Sequence, residues 1–239
     1  MAFSVIQVGQ AKYQLQNILL MDVLELAKMP PRHYERQLTQ ILTTITGDAD
    51  SVQKLTVHER YAIFLTYLNL TKSNSLSENL NIADFLAEDL TDFENKRVHG
   101  NNVSIRHLTG VEAEALEIGC EHTDDWILGA MAITVGTSTL PPIDNTNYSV
   151  AYAGKIIAQR IEQMKLLSHD EFNELAAEYY FLQGQLKSLI SFRFDEGIVL
   201  NQLRNGGADD APVRFRPNTA LSGYAKQFLS IAIEARTAI

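Results

Sequence analysis

The sequence predicts a mainly α protein of the α+β class, a helical bundle carrying one or two small β-hairpins. Three observations predict it. Apolar residues recur at three- and four-residue intervals over most of the chain. Two capping boxes, Thr56 with Glu59 and Ser168 with Glu171, mark helix starts, because each side chain can satisfy the other residue's backbone N–H. Strand-like alternation is confined to short stretches near residues 3–10 and 97–108.

The elements follow in order. Phe3, Val5 and Gln7 alternate with Ser4, Ile6 and Val8 ahead of Gly9-Gln10, so a first hairpin is expected. Residues 22–28 read as a short helix stopped by Pro30-Pro31, since the residue before a proline is pushed out of the α region. Tyr34, Leu38, Ile41, Leu42 and Ile45 make the apolar stripe of a second helix, ended by Gly47 and Asp48. Val57, Tyr61, Phe64, Leu65 and Leu68 repeat that stripe in a third, and the two read as an antiparallel pair. Residues 71–81, rich in Ser and Asn, are a loop. Ile82, Phe85, Leu86, Leu90 and Phe93 then predict another amphipathic helix, whose acidic face of Asp84, Glu88, Asp89, Asp92 and Glu94 is solvated.

Val98, Val103 and Ile105 flank the turn-prone His99-Gly100-Asn101-Asn102, which gives a second hairpin over 97–108. Thr109 caps a short helix through Leu116. Thr123 caps the next, from Asp124 towards Val135, with Asp124 and Asp125 favoured by the helix dipole. Pro141-Pro142 sets the boundary between an N-terminal helical region, 1–139, and a C-terminal one, 140–239. Residues 148–167 form a helix through Ile156, Ile157, Ile161 and Met164. Phe172, Leu175, Tyr179, Leu182, Leu186 and Leu189 form a heptad seam. Ala176, Gln183 and Gln185 lack the flanking charges of a free-standing zipper, so an internal bundle helix is expected. Residues 195–217 read as a long loop with a short strand around Ile198 to Leu200. A last helix, 218–235, carries Leu221, Tyr224, Phe228 and Ile231.

Composition narrows the function. A chain of 239 residues, 46% hydrophobic and 21% charged, can bury a core, which excludes wholesale disorder. The net charge of -9, with no stripe of Lys and Arg, argues against nucleic-acid and membrane partners. One cysteine, Cys120, makes no internal disulfide and suits a reducing compartment. Residues 1–13 carry no signal-peptide pattern, and no uncharged apolar stretch reaches membrane-spanning length.

The chemical motifs are negative. Cys120 and His122 have no second close pair, and His33, His58, His99, His107 and His169 are scattered, so no metal is expected. His58-Glu59 lacks the second histidine of a zinc-protease helix. Asn205-Gly206-Gly207-Ala208 lacks a Walker lysine, no GxSxG elbow is present, and Asp209-Asp210 read as solubilising, so neither cofactor nor catalytic residue is assigned. Residues 121–126, beside Cys120, are densely titratable. Helix capping is the favoured reading there, and a Cys120–His122 nucleophile and base the sharper alternative. The candidate interface is the long loop, with Arg204, Arg214, Phe215 and Arg216, because Arg and aromatic residues are enriched where proteins meet.

Three stretches carry a resemblance: Pro31-Arg32-His33-Tyr34-Glu35-Arg36, Leu55-Thr56-Val57-His58-Glu59-Arg60-Tyr61, and residues 117–131. They resemble baseplate and tail-hub assembly proteins of contractile-tailed bacteriophages, over about residues 1–135. The resemblance implies a virion component assembled in the host cytoplasm, with no enzymatic activity. Its implied partners are other tail and baseplate proteins, with self-association open as a further mode. It supplies no catalytic residue. Three alternatives remain open: a transient tail-assembly chaperone, a small hydrolase or transferase using Cys120 and His122, and a regulatory adaptor of cellular origin.

Overall fold

The chain opens with a hairpin, β1 (Val5–Val8) and β2 (Ala11–Gln14), paired antiparallel with Val8 opposite Ala11. Gly9 turns it at φ 56°, a left-handed conformation that suits glycine. The computed structural model describes residues 4–71, 81–204 and 212–216. Helix α1 (Leu20–Ala27) starts where the Asp22 carboxylate accepts from the Leu19 N–H at 2.8 Å. Helix α2 (Tyr34–Thr46) ends at Gly47, also left-handed. Helix α3 (Ala49–Lys54) is an addition to the sequence reading. Asp48 caps it, accepting from Ser51 N–H at 3.0 Å, and six residues are too few to show a helical period.

Helix α4 (Val57–Leu70) is the central element. Its predicted capping box forms: Thr56 Oγ1 accepts from Glu59 N–H at 3.2 Å, and Glu59 accepts from Thr56 N–H at 2.8 Å. The expected stripe is buried, and so are Ala62, Ile63 and Tyr67 on other faces, so α4 is walled nearly all round. Against it pack α2, β1, a 3-10 turn at Ile82–Phe85 and, later in the chain, α5 (Gly110–Gly119).

A three-stranded sheet follows, from β3 (Val98–His99), β4 (Ser104–Ile105) and β5 (Val135–Gly136), all antiparallel with β4 central. The predicted hairpin is β3–β4, and β5 arrives from the end of α6 (Thr123–Thr134). Helices α5, α6 and α7 (Val150–Met164) pack on one another, and α8 (His169–Gln183) lies against β4. A last hairpin, β6 (Ser191–Phe194) and β7 (Ile198–Asn201), touches α6. Residues 213 and 200 form one further bridge. The fold is thus mainly α with small antiparallel sheets, as the periodicity predicts.

The main hydrophobic cluster draws on both sides of the expected 139/140 boundary, joining Leu42, Phe64 and Leu116 to Ile156, Ile157, Leu189 and Leu200. Pro141-Pro142 therefore marks a connection and not a gap between cores. A smaller cluster collects Ile105, Met131, Val135, Met164, Tyr179 and Leu182. The seam residues Phe172, Leu175 and Leu186 pack on it, which makes the heptad an internal surface.

Two predicted helices are corrected. Residues 82–94 hold one 3-10 turn and then irregular chain, although Ile82, Phe85, Leu86 and Phe93 are buried as expected. The backbone groups there are spent elsewhere. Leu90 O accepts from Gly9 N–H, Ala87 N–H donates to Leu189 O, and the Asp89 side chain takes Thr91 N–H at 2.7 Å, so the helical ladder is displaced. Helix α8 likewise ends at Gln183. Leu186 lies past its end and Leu189 precedes β6. The helix expected over 218–235 and the turn at 205–207 lie outside the described residues.

Candidate functional site

The three stretches behind the resemblance converge. Glu35 lies in the first turn of α2, Arg60 and Tyr61 sit in the first turns of α4, and Glu114 and Glu117 lie on α5. Tyr61 Oη donates to Glu35 Oε1 at 2.7 Å. Arg60 Nη2 donates to the Glu35 carbonyl at 2.6 Å and lies 3.6 Å from its carboxylate. Its Nη1 lies 3.9 Å from Glu114, which also accepts from Thr39 Oγ1. Glu117 accepts from the N–H groups of Glu35 at 2.9 Å and Arg36 at 3.4 Å. The Glu117 carboxyl group from α5 thus caps α2, where His33 at the N-cap position makes no capping bond of its own.

Arg60 and Glu35 are only 1% and 2% exposed. Burial raises the Glu35 carboxyl and holds the Tyr61 hydroxyl well above its usual range. Burial, then the neighbouring Glu35, pushes Glu117 up to about 8 against the pull of its N–H donors. This cluster registers α2, α4 and α5 with one another, and its arginine and Glu35 have no opening towards a substrate.

The predicted interface loop divides. Phe215 is buried and meets Phe85 edge-on, with ring centres 5.3 Å apart, so it belongs to the core and is corrected from a surface anchor. Its neighbour Val213 bridges Leu200, which turns this aromatic inward. Arg214 is tied to the carbonyls of Asp195 and Glu196 and lies 5.8 Å from the centre of the Tyr34 ring. Arg204 reaches Glu88 at 3.9 Å, and Arg216 is exposed.

The Cys120 locus takes a simple form. His122 is the N-cap of α6, and its N–H donates to Asp125 at 3.1 Å, while Trp126 is buried. Thr123, expected as the cap, instead accepts the Glu196 N–H at 3.1 Å and so ties the β6–β7 turn to α6. Burial, then Asp125, pushes the Cys120 thiol up to about 11, away from nucleophile behaviour. Among the described residues no group of three or more His, Cys, Asp or Glu is placed to hold a metal ion.

Sequence reasoning missed a histidine pair. His58 on α4 and His107 after β4 stack edge-on at 4.6 Å, with Phe93 and Phe192 against them. Burial pushes His58 down to about 3 and His107 to about 4, so both are neutral. They line a cavity of about 330 Å³ with Tyr179 and Phe194. No local pattern links positions 49 residues apart.

The surface carries a different signal. Helix α1 exposes Leu20, Met21 and Leu24, with Leu19 just before it, and buries only Leu26. On α8, Tyr180 and Phe181 are exposed beside buried Tyr179 and Leu182. Among the described residues no helix is long and apolar enough to cross a membrane. No family model matches the chain, and neither a curated protein nor a solved structure shows significant similarity to it.

Proposed function

We propose that this chain is a non-enzymatic structural protein of a bacteriophage tail or baseplate, which binds neighbouring subunits during tail assembly. The observation that carries the binding half is α1. An eight-residue helix is marginal by itself, and this one buries a single side chain while turning Leu20, Met21 and Leu24 to solvent. Clustered exposed apolar side chains mark contact sites more often than chance. The tail context rests on the resemblance of the α2, α4 and α5 segments. Their buried ionic cluster supports a scaffold role for them, since it positions helices and reaches no substrate.

The test is peptide mass spectrometry and electron microscopy of purified particles and of assembly intermediates. The expected result is the chain in finished tails. Presence in intermediates alone would replace the packaged subunit by a transient chaperone. Absence from both would refute the tail reading.

A further inference from the structure

A cleft of about 310 Å³ lies between the start of α5, Arg97 and Arg106, and the segment leading into α7. Its cations are Lys54, Arg97 and Arg106, and its carboxylates are Glu112 and Asp144. The cations outnumber the carboxylates by one. Glu112 is spent on Arg106, which holds it through Nη1 at 2.8 Å and Nη2 at 2.6 Å. Asp144 serves its own loop, accepting from Thr146 N–H at 2.9 Å and Oγ1 at 2.6 Å. Arg97 donates to the Ser104 hydroxyl at 3.1 Å, and among the described residues no carboxylate lies within ion-pair distance of it. Lys54 sits 5.8 Å from the centre of the Tyr148 ring, likewise without an ion pair among the described residues. Behind this wall, buried Arg160 gives its donors to the carbonyls of Pro141 and Val135.

The cleft lining thus carries one net positive charge in a protein whose net charge is -9. Burial, then Arg106, holds Arg97 below the usual arginine range. Burial, then Arg106 and Arg97, pushes Arg160 down to about 10. A structural ion-pair network does the reverse, because each cation gains a carboxylate.

We propose that this cleft binds a small phosphomonoester, with the phosphate between Arg97 and Lys54 and the organic body against Tyr148 and Tyr152. A phosphomonoester offers three terminal oxygens to Arg97 and Lys54, the cleft cations without an ion pair among the described residues, whereas a carboxylate offers two. Arginine's planar fork suits phosphate oxygens in particular. The Tyr152 hydroxyl already accepts the Asp144 N–H at 2.7 Å, so this side chain offers its ring to the ligand. The cleft volume falls in the small-ligand range, larger than a bare ion needs. The inference is independent of the reading as a tail subunit.

Isothermal titration of the full chain tests it, with phenyl phosphate, inorganic phosphate and benzoate as probes. Phenyl phosphate is expected to bind, and benzoate to bind at least about tenfold more weakly. Arg97→Gln is expected to weaken phenyl phosphate by about tenfold, as is Lys54→Gln, which alters an exposed side chain and leaves the fold intact. Arg36→Gln, an exposed arginine that does not line the cleft, should change nothing. No binding up to about 10 mM phenyl phosphate would overturn the proposal. Equal benzoate affinity would overturn the phosphate assignment. Equal loss in Arg36→Gln would reduce the effect to general charge attraction, which also overturns it. Inorganic phosphate binding as tightly as phenyl phosphate would overturn the role of the tyrosine wall.

Discussion

Acidification offers a direct reading of the buried histidine pair. In the unfolded chain an imidazole titrates near 6.5, whereas His58 and His107 are held at about 3 and about 4 by burial. The sign follows from proton linkage. Below 6.5 the unfolded chain takes up protons that the folded chain refuses, so stability is full above 6.5 and falls as pH drops towards the folded values. At about pH 5 each imidazole has lost about 2 kcal/mol of stabilisation, since each pH unit is worth about 1.4 kcal/mol. The pair together loses about 4 kcal/mol, a large share of the stability of an ordinary domain. Glu117 works against this. Raised from 4.5 to about 8, it is more stabilising when protonated, so acidification across that window recovers stability. The wild-type curve alone therefore mixes two opposite slopes. The clean measurement is urea unfolding at about pH 7 and about pH 5 for wild type and for His58→Leu with His107→Asn, where asparagine keeps a donor for the Lys187 backbone. The wild type should lose about 4 kcal/mol more than the variant between those conditions. Equal losses in the two proteins would refute the neutral, buried pair.

Four further outcomes follow from the same geometry. Arg60→Met should destabilise the chain by about 3–5 kcal/mol in urea titrations, because Glu35 and Glu114 would keep buried charge without their cation; Gly110→Ala should also destabilise it, since a β-carbon there overlaps the Arg60 guanidinium. The double change Met21→Glu and Leu24→Glu should shift stability by less than about 0.5 kcal/mol yet remove the chain from purified tails, and retention at wild-type levels would exclude α1 as the contact. Cys120, raised from 9.0 to about 11, should alkylate about a hundredfold more slowly than an unperturbed thiol near neutral pH, as followed by iodoacetamide labelling and mass spectrometry; fast labelling would revive the Cys120–His122 enzyme alternative.

Some helix ends were legible because their signals are local. The boxes at Thr56 and Ser168 form with the partners their spacing predicts, and Gly47 stops α2 as only a left-handed residue readily does. Burial was legible too. Ile82, Phe85 and Phe93 are in the core even though the helix expected around them is absent, because apolar spacing reports burial more directly than it reports backbone hydrogen bonding.

Three features were decided only in the tertiary structure. Leu90 and Ala87 bond to Gly9 and Leu189, and those distant partners displaced a local ladder. Phe215, read as a surface anchor, found Phe85 across the fold. The clusters with chemical character, Glu35 with Arg60 and Glu114, His58 with His107, and Arg97 with Arg106 and Arg160, join residues far apart in the chain. Capping and periodicity act over a few residues and can be read along the sequence. Desolvation and Coulomb interactions depend on distances through space, and only the folded chain sets those.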